Sequence, residues 1–514
     1  MHDRRLRRRF KWDLATDQLP AGDLSVSTLD PRCVSVYDVE VPRSVFGRPG
    51  ELASARHPFQ IIQADSPDPN RRSEVSMLLC SCMQIVRRAR LTLPIFVVGV
   101  FFQSLAPEAR AQWPQWGGAH QDFKAECKGL ADKWPDEGPR KVWSRDLGDG
   151  YSGIIADAGI LYTMYRNGDD QEVVIALDAE TGKTKWEHQY DAPPKPGHVT
   201  EFGTGPRATP TLDGERLYTI GVAGHMHCLD RKNGKVHWSH QLWDEYKGTF
   251  LMHGYSSSPY IYKNLVITLV GGEGHAVVAF DKLTGKEVWK KHDFGNSYAT
   301  PKLIRVDGED QLACFMGSEI IGIEPMTGDL KWRFEHKNQW SQNICPPIYD
   351  NDHMLFISSP EPACSKGLRL TRKGDKTQVE EVWMNRKVRV HHSNAVRVGD
   401  SVYCSSGDGP GLFFAVDAKS GDLKWRKRGF AKSTVLYADG KFILLDEDGK
   451  LGLVRATPED FDILAQAQVL ERVSWTVPTL IGTRLYLRDK KHMIALELGR
   501  DAYTAAQPSP RDRG

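Results

Sequence analysis

Ala176-Leu-Asp-Ala-Glu-Thr-Gly-Lys-Thr-Lys-Trp186 decides the fold, because four further segments align with it without a gap. They are CLDRKNGKVHW (228–238), AFDKLTGKEVW (279–289), GIEPMTGDLKW (322–332) and AVDAKSGDLKW (415–425). The shared pattern is small, apolar, acid, two free positions, Thr/Ser/Asn, Gly, three free positions, Trp. Apolar residues before the acid read as a strand. The acid and the Thr/Ser/Asn can bond turn amides. Gly182, Gly234, Gly285, Gly328 and Gly421 supply the positive φ of a tight hairpin, and the tryptophan lies in the next strand, able to pack flat between neighbouring sheets. An acid that recurs at every copy (Asp178, Asp230, Asp281, Glu324, Asp417) is a turn residue, since catalytic carboxylates come in ones or twos.

Tryptophan spacings of 52, 51 and 43 residues, then 93, mark one divergent unit, 367–383, ending at Trp383 with a longer hairpin. Two eroded copies follow, 452–470 and 493–499. The last lacks its final strand, and a matching strand stands at the other end, RKVWSRDLG (140–148) with Trp143. A second landmark precedes each hairpin: an x-Pro strand, a turn and a second, often Tyr-containing strand, as in RATPTLDGERLYTI (207–220), SSSPYIYKNLVITL (256–269), YATPKLI (298–304) and WTVPTLIGTRLYLR (475–488). Four strands per unit, about 45 residues each, are right for a propeller blade. The expected fold is all-β: an eight-bladed β-propeller of four-stranded antiparallel blades over residues 141–499, closed by the N-terminal strand. A solenoid would need capping ends rather than a displaced strand.

The remaining chain divides around this array. Residues 1–82 show no periodicity and carry Arg4, Arg5, Arg7, Arg8 and Arg9; they read as a non-globular leader upstream of the true start rather than a nucleic-acid arm. From Met83 the chain has a basic segment (Arg87, Arg88, Arg90), an apolar stretch from Leu91 to Leu105 and an Ala109-Arg-Ala111 cleavage pattern. This reads as a signal peptide over 83–111, with Met83 the expected start in preference to Met77. The mature chain would begin at Gln112, be periplasmic or secreted, and keep no transmembrane helix. Residues 112–140 form an aromatic lead-in, on the ring's outside or across one channel mouth, and 500–514 a disordered tail. The net charge of +2 from 68 basic and 66 acidic residues gives no reason to expect nucleic acid as a partner. Six cysteines follow residue 111, with no CxxC pair and no zinc spacing, so no metal site is expected. Neither GDGPG (407–411) nor GGEG (271–274) has the lysine or following helix of a phosphate loop.

The acid–Thr-Gly–Trp hairpin resembles the tryptophan-docking motif of pyrroloquinoline quinone (PQQ) type β-propellers. QWPQWGG (112–118), GYSGIIADAGILYTM (150–164) and GTGPRATPT (203–211) look like exported PQQ-like propellers of the bacterial outer-membrane assembly factor type. This resemblance implies an eight-bladed ring acting as a binding platform in the cell envelope, with a protein partner received at a rim or edge strand. The alternative it implies is a PQQ-dependent periplasmic quinoprotein dehydrogenase oxidising an alcohol or sugar. Those dehydrogenases hold PQQ with adjacent, disulfide-bonded cysteines, a Ca²⁺ ligated by Glu, Asn and Asp, and a separate Asp base. No two cysteines after residue 111 are adjacent here.

First strands of propeller blades line the central channel. Aligned on the x-Pro position, the eight place Tyr151, Arg207, Ser256, Tyr298, Ile344, His392, Ala431 and Trp475 at one level, with His253, Asn343, His391 and Asn394 nearby. Of these, Arg207, His392, Tyr151 and Trp475 are the candidate cofactor-binding residues: a planar anion such as PQQ could stack on Trp475 and pair with Arg207. A small-molecule ligand in the channel is the broader expectation, with PQQ and Ca²⁺ as the candidate cofactors.

Overall fold

The computed structural model describes residues 113–504, apart from 339, 351, 408–410, 431 and 472. The expected leader (1–82), signal peptide (83–111) and most of the tail lie outside the described residues. Asp501–Thr504 form a helical turn, so the expectation of a disordered tail from residue 500 is corrected there. The Tyr503 hydroxyl ties this turn back by donating to the Glu497 carbonyl. No helix of the described residues is long and apolar enough to cross a membrane.

The described residues form eight antiparallel blades with core strands in sequence order. They occupy 155–191, 211–241, 260–291, 302–335, 348–385, 395–428, 434–468 and 479–497. Blade 8 takes its fourth strand from Arg140–Asp146, which pairs antiparallel with His492–Glu497; Arg140 stands opposite Glu497 and Trp143 opposite Ala495. The displaced strand of the sequence therefore closes the ring.

Each hairpin motif works in two ways. In blade 1 the Asp178 carboxylate accepts from the Thr181 amide (3.0 Å) and hydroxyl (2.9 Å), fixing the turn that Gly182 completes at φ +67°. The same glycine is where the previous blade's tryptophan lands. A Cβ on Gly182 would stand 2.8 Å from the Trp143 ring, and one on Gly234 2.5 Å from Trp186. The indole N–H then donates to a carbonyl of that next blade: Trp143 to Ala179 (3.0 Å), Trp186 to Arg231 (3.0 Å), Trp238 to Lys282 (3.1 Å) and Trp383 to Ala418 (3.1 Å). Glycine is thus required for its φ and for the absence of a side chain under the indole. Trp332 faces the divergent blade 5, which lacks this turn, and donates instead to Gln311 Oε1 of its own blade (2.8 Å).

A hydrogen-bonded belt joins the blades near their first strands. The Ser or Thr before the proline in blades 2, 3 and 4 supplies three of its links. Thr209 Oγ1 accepts from the Gly153 amide (3.1 Å), Ser258 Oγ from Thr209 (3.0 Å) and Thr300 Oγ1 from Ser258 (3.0 Å). Across the seam, Thr476 donates to the Tyr151 carbonyl (3.0 Å) and Thr479 to Ile154 (2.6 Å). Buried Arg488 reinforces the same junction by donating to the Met164 carbonyl (2.8 Å). Backbone groups that a sheet edge would leave unpaired are satisfied here by neighbouring blades.

Candidate functional site

The lead-in crosses the centre of the ring, which resolves the two placements the sequence left open. Trp113 exchanges both backbone bonds with Ala156 of blade 1 (2.9 Å each), and the Leu212 amide of blade 2 donates to Pro114 (2.8 Å). Lys302 Nζ of blade 4 donates to the Gln121 carbonyl (2.9 Å). Lys124–Ala125 then pair in parallel with the first strand of blade 7, Lys124 opposite Tyr437. First strands of four blades are tied to one segment, and Trp116 of that segment forms part of the lining of the central cavity.

That cavity has a volume of ≈ 310 Å³. It gathers Tyr151, Arg207, Ser256, Tyr298, Ile344, His392 and Trp475, together with His253 and His391. Seven of the eight residues that the x-Pro alignment put at one level thus share one space; the eighth, Ala431, lies outside the described residues. Two of the nearby residues do not belong to it. Asn343 is fully buried and donates to the Met316 carbonyl (2.7 Å), while Asn394 exchanges bonds with the backbone of Val435 (2.7 and 3.0 Å). Both are links between backbone segments. Sequence reasoning missed Phe202, Gln342 and Trp116 in the lining. Phe202 sits in a long connection with no repeat to align, and Gln342 lies just beyond the aligned position.

The four candidate binding residues form one stacked wall. His391 stacks on His392 (3.7 Å between centroids), His392 on Trp475 (5.0 Å, 7° between planes) and Trp475 with Tyr151 (5.2 Å, 30°). The Arg207 guanidinium lies 5.8 Å from the Tyr151 ring centre. A planar ligand would therefore compete with His392 and Tyr151 for the indole of Trp475. The Tyr151 hydroxyl donates to the Phe202 carbonyl (2.6 Å), and Arg207 donates to the carbonyls of Gly203 (2.9 Å) and Gly205 (3.1 Å). One connecting segment, 201–207, thus holds both the aromatic and the cationic side of the wall.

Among the described residues, Arg207 is the only lysine or arginine in the lining, and no aspartate or glutamate lines the cavity. Burial, followed by the Arg207 charge, lowers the His253 pKa to about 4, so this imidazole is neutral at pH 7. Burial pushes the Tyr151 and Tyr298 hydroxyls up to about 12. The cavity thus has a fixed cation, a neutral His253 and protonated Tyr151 and Tyr298 hydroxyls.

This set does not fit a calcium-bound quinone. Ca²⁺ takes six to eight oxygen ligands with carboxylates prominent among them; none of the described carboxylates lines the cavity. Among the described residues no group of three or more His, Cys, Asp or Glu side chains is placed to hold a metal ion. Cys127, Cys228, Cys314, Cys345, Cys364 and Cys404 are all free thiols, so no disulfide ring covers the cavity.

Residues 169–361 match the family described as outer membrane protein assembly factor BamB. Two curated relatives align with part of the chain. The quinohemoprotein alcohol dehydrogenase ADH IIB of Pseudomonas putida is 28% identical over 168 residues, 31% of this chain and 23% of that protein. The outer membrane protein assembly factor BamB of Kangiella koreensis is 26% identical over 140 residues, 27% of this chain and 31% of that protein. The chain therefore spans less than a third of the length of either. Among solved structures, a europium-containing methanol dehydrogenase superimposes with a TM-score of 0.55 at 14% identity, over 75% of this chain and 89% of that one, a likeness of fold.

Proposed function

We propose that this chain, a PQQ-like β-propeller similar to the outer-membrane assembly factor type and related also to quinoprotein dehydrogenases, is an exported, non-catalytic binding platform that docks a protein partner in the cell envelope. The observation that carries the reading is the donor set of the cavity, which among the described residues is a single guanidinium without a carboxylate or a cluster of metal ligands. Calcium-assisted oxidation of the quinoprotein kind needs carboxylate ligands, and none is among the described residues of this lining.

The docking surface is the face onto which the connections between blades emerge. In a four-stranded antiparallel blade the last strand runs opposite to the first, so all blade-to-blade connections share one face. Phe202, Phe250, Trp340 and Val473 lie in four such connections, and all are exposed, Trp340 at 58% and Phe250 at 44%. Exposed apolar groups gathered on one face mark interaction sites. Leu283 is equally exposed but lies in a hairpin turn on the opposite face.

A photo-crosslinking amino acid placed at position 340 of the full chain in its native envelope is expected to give a discrete protein adduct, and the same group at position 283 none. Equal labelling from both positions, or none from 340, contradicts the docking reading. The alternative, a quinoprotein dehydrogenase, is favoured by the Pseudomonas putida relative and by the presence of a guanidinium, Arg207, and an indole, Trp475, in one lining.

A further inference from the structure

We infer that the central cavity binds one aromatic monocarboxylate without a metal ion, its carboxylate on Arg207. The inference is tested by ligand binding in the cavity and the docking reading by crosslinking from position 340, which is not in the lining, so either can fail alone.

Three observations carry it. First, Arg207 is half-buried in the lining, yet among the described residues it makes no ion pair with a carboxylate. Of the other arginines with buried guanidinium groups, Arg166 is paired with Glu172 (3.1 Å) and Arg397 with Asp352 (2.5 Å), while Arg488, at the seam, donates to the carbonyls of Ser152, Met164 and Gly148. Two of the five guanidinium N–H donors of Arg207 are spent on the carbonyls of Gly203 and Gly205, which fix its plane and leave donors for a ligand. Second, Ser393 lines the same cavity, is 6% exposed, and its hydroxyl is without a partner among the described residues. A buried hydroxyl left so is costly and points to a polar group that belongs beside it. Third, uncharged hydroxyl and amide groups (Thr209, Ser256, Ser258, Thr300, Gln342) and a set of apolar and aromatic side chains make up much of the remaining walls. Phe202, Tyr298, Ile344 and Val477 surround ≈ 310 Å³, at the small end of the range for ligand pockets. One cation implies one negative charge, and the volume suits one ring with a short acidic arm. Arg207 is the only lysine or arginine among the described lining residues and His253 is neutral, so a ligand with one carboxylate matches the lining better than one with two or three.

Such a carboxylate can arrive as a free small acid or as the C-terminal residue of a polypeptide. Calorimetric titration of the full chain separates the two. The probes are indole-3-acetate against neutral indole-3-acetamide, and N-acetyl-Ala-Phe against its C-terminal amide, each with EDTA present. Both acids are expected to bind and both amides to bind about 10–100-fold more weakly, the effect of one charge-assisted, desolvated contact. Tighter binding of the dipeptide assigns a chain terminus; tighter binding of indole-3-acetate assigns a small molecule.

Arg207→Met is expected to abolish the preference for acid over amide. If that variant does not fold, Arg207→Lys keeps a charge without the fork and is expected to lose most of the preference. Trp475→Leu, which removes the ring on which Tyr151 rests, is expected to weaken both acids. Absence of binding by either acid at millimolar concentration, equal binding of acid and amide, or binding that requires added calcium overturns the inference.

Discussion

Arg166→Leu is expected to lower the stability of the propeller by about 3–5 kcal/mol, the cost of stranding a buried charge. Arg166 is 2% exposed and Glu172 0%, and their side chains meet at 3.1 Å. Glu172 also accepts from the Tyr190 hydroxyl (2.8 Å) and the Val222 amide (3.2 Å), a bridge from blade 1 to blade 2. Arg166 in turn donates to the carbonyls of Asp169 (2.7 Å), Ala192 (2.9 Å) and Thr204 (2.8 Å). The last of these anchors the connection that carries Phe202 and the acceptors of Arg207, so the substitution is expected to weaken ligand binding as well as the fold.

The pH dependence of this variant has a defined sign. Burial already raises the Glu172 pKa above its ordinary value of 4.5, with Arg166 opposing that rise. Without Arg166 the folded-state value climbs further. The native state then binds more protons than the unfolded state above pH 4.5, and stability grows as pH falls through the raised pKa. Chemical denaturation at several pH values is expected to show the deficit of Arg166→Leu shrinking towards pH 4.5. Arg166→Leu/Glu172→Leu is expected to recover part of the loss at neutral pH, because no charge is then stranded. An equal deficit for the single and double variants would contradict this assignment.

The second large effect is at the seam. Trp143→Ala is expected to cost about 3 kcal/mol, the low end for losing a packed tryptophan because this one is half-buried. The important comparison is with Trp238→Ala. Trp238 packs on Gly285 and donates to Lys282 as Trp143 packs on Gly182 and donates to Ala179. A seam built like any other junction gives the two substitutions equal costs in denaturant unfolding. A nearly neutral Trp143→Ala beside a costly Trp238→Ala would mean that the ring is not held shut by this strand.

Much of this architecture is written locally. The acid, glycine and tryptophan of each hairpin are bound together by one turn and one blade junction, so they recur and can be counted. The x-Pro prolines register the first strands, and aligning them brought Tyr151, Arg207, Tyr298, His392 and Trp475 to one level before any coordinates. Where a residue is fixed by contacts far along the chain, the pattern falls silent. The crossing of the ring by Trp113–Ala125 rests on bonds to blades 1, 2, 4 and 7 that no repeat announces. Asn343 and Asn394 lie next to aligned positions but turn away to bond backbone, a choice set by the tertiary placement of Met316 and Val435. Blade 5 shows the converse: its hairpin lost the motif, and Trp332 found Gln311 instead.

The most direct test of the central claim, that this ring binds rather than oxidises, is a titration of the purified full chain with PQQ and Ca²⁺, read by its absorption spectrum and by dye reduction with a panel of alcohols and sugars. A lining whose described residues supply one guanidinium and no carboxylate predicts no calcium-dependent chromophore and no dye reduction. A stoichiometric, calcium-dependent chromophore that reduces dye with an alcohol and is lost in Arg207→Ala would contradict it.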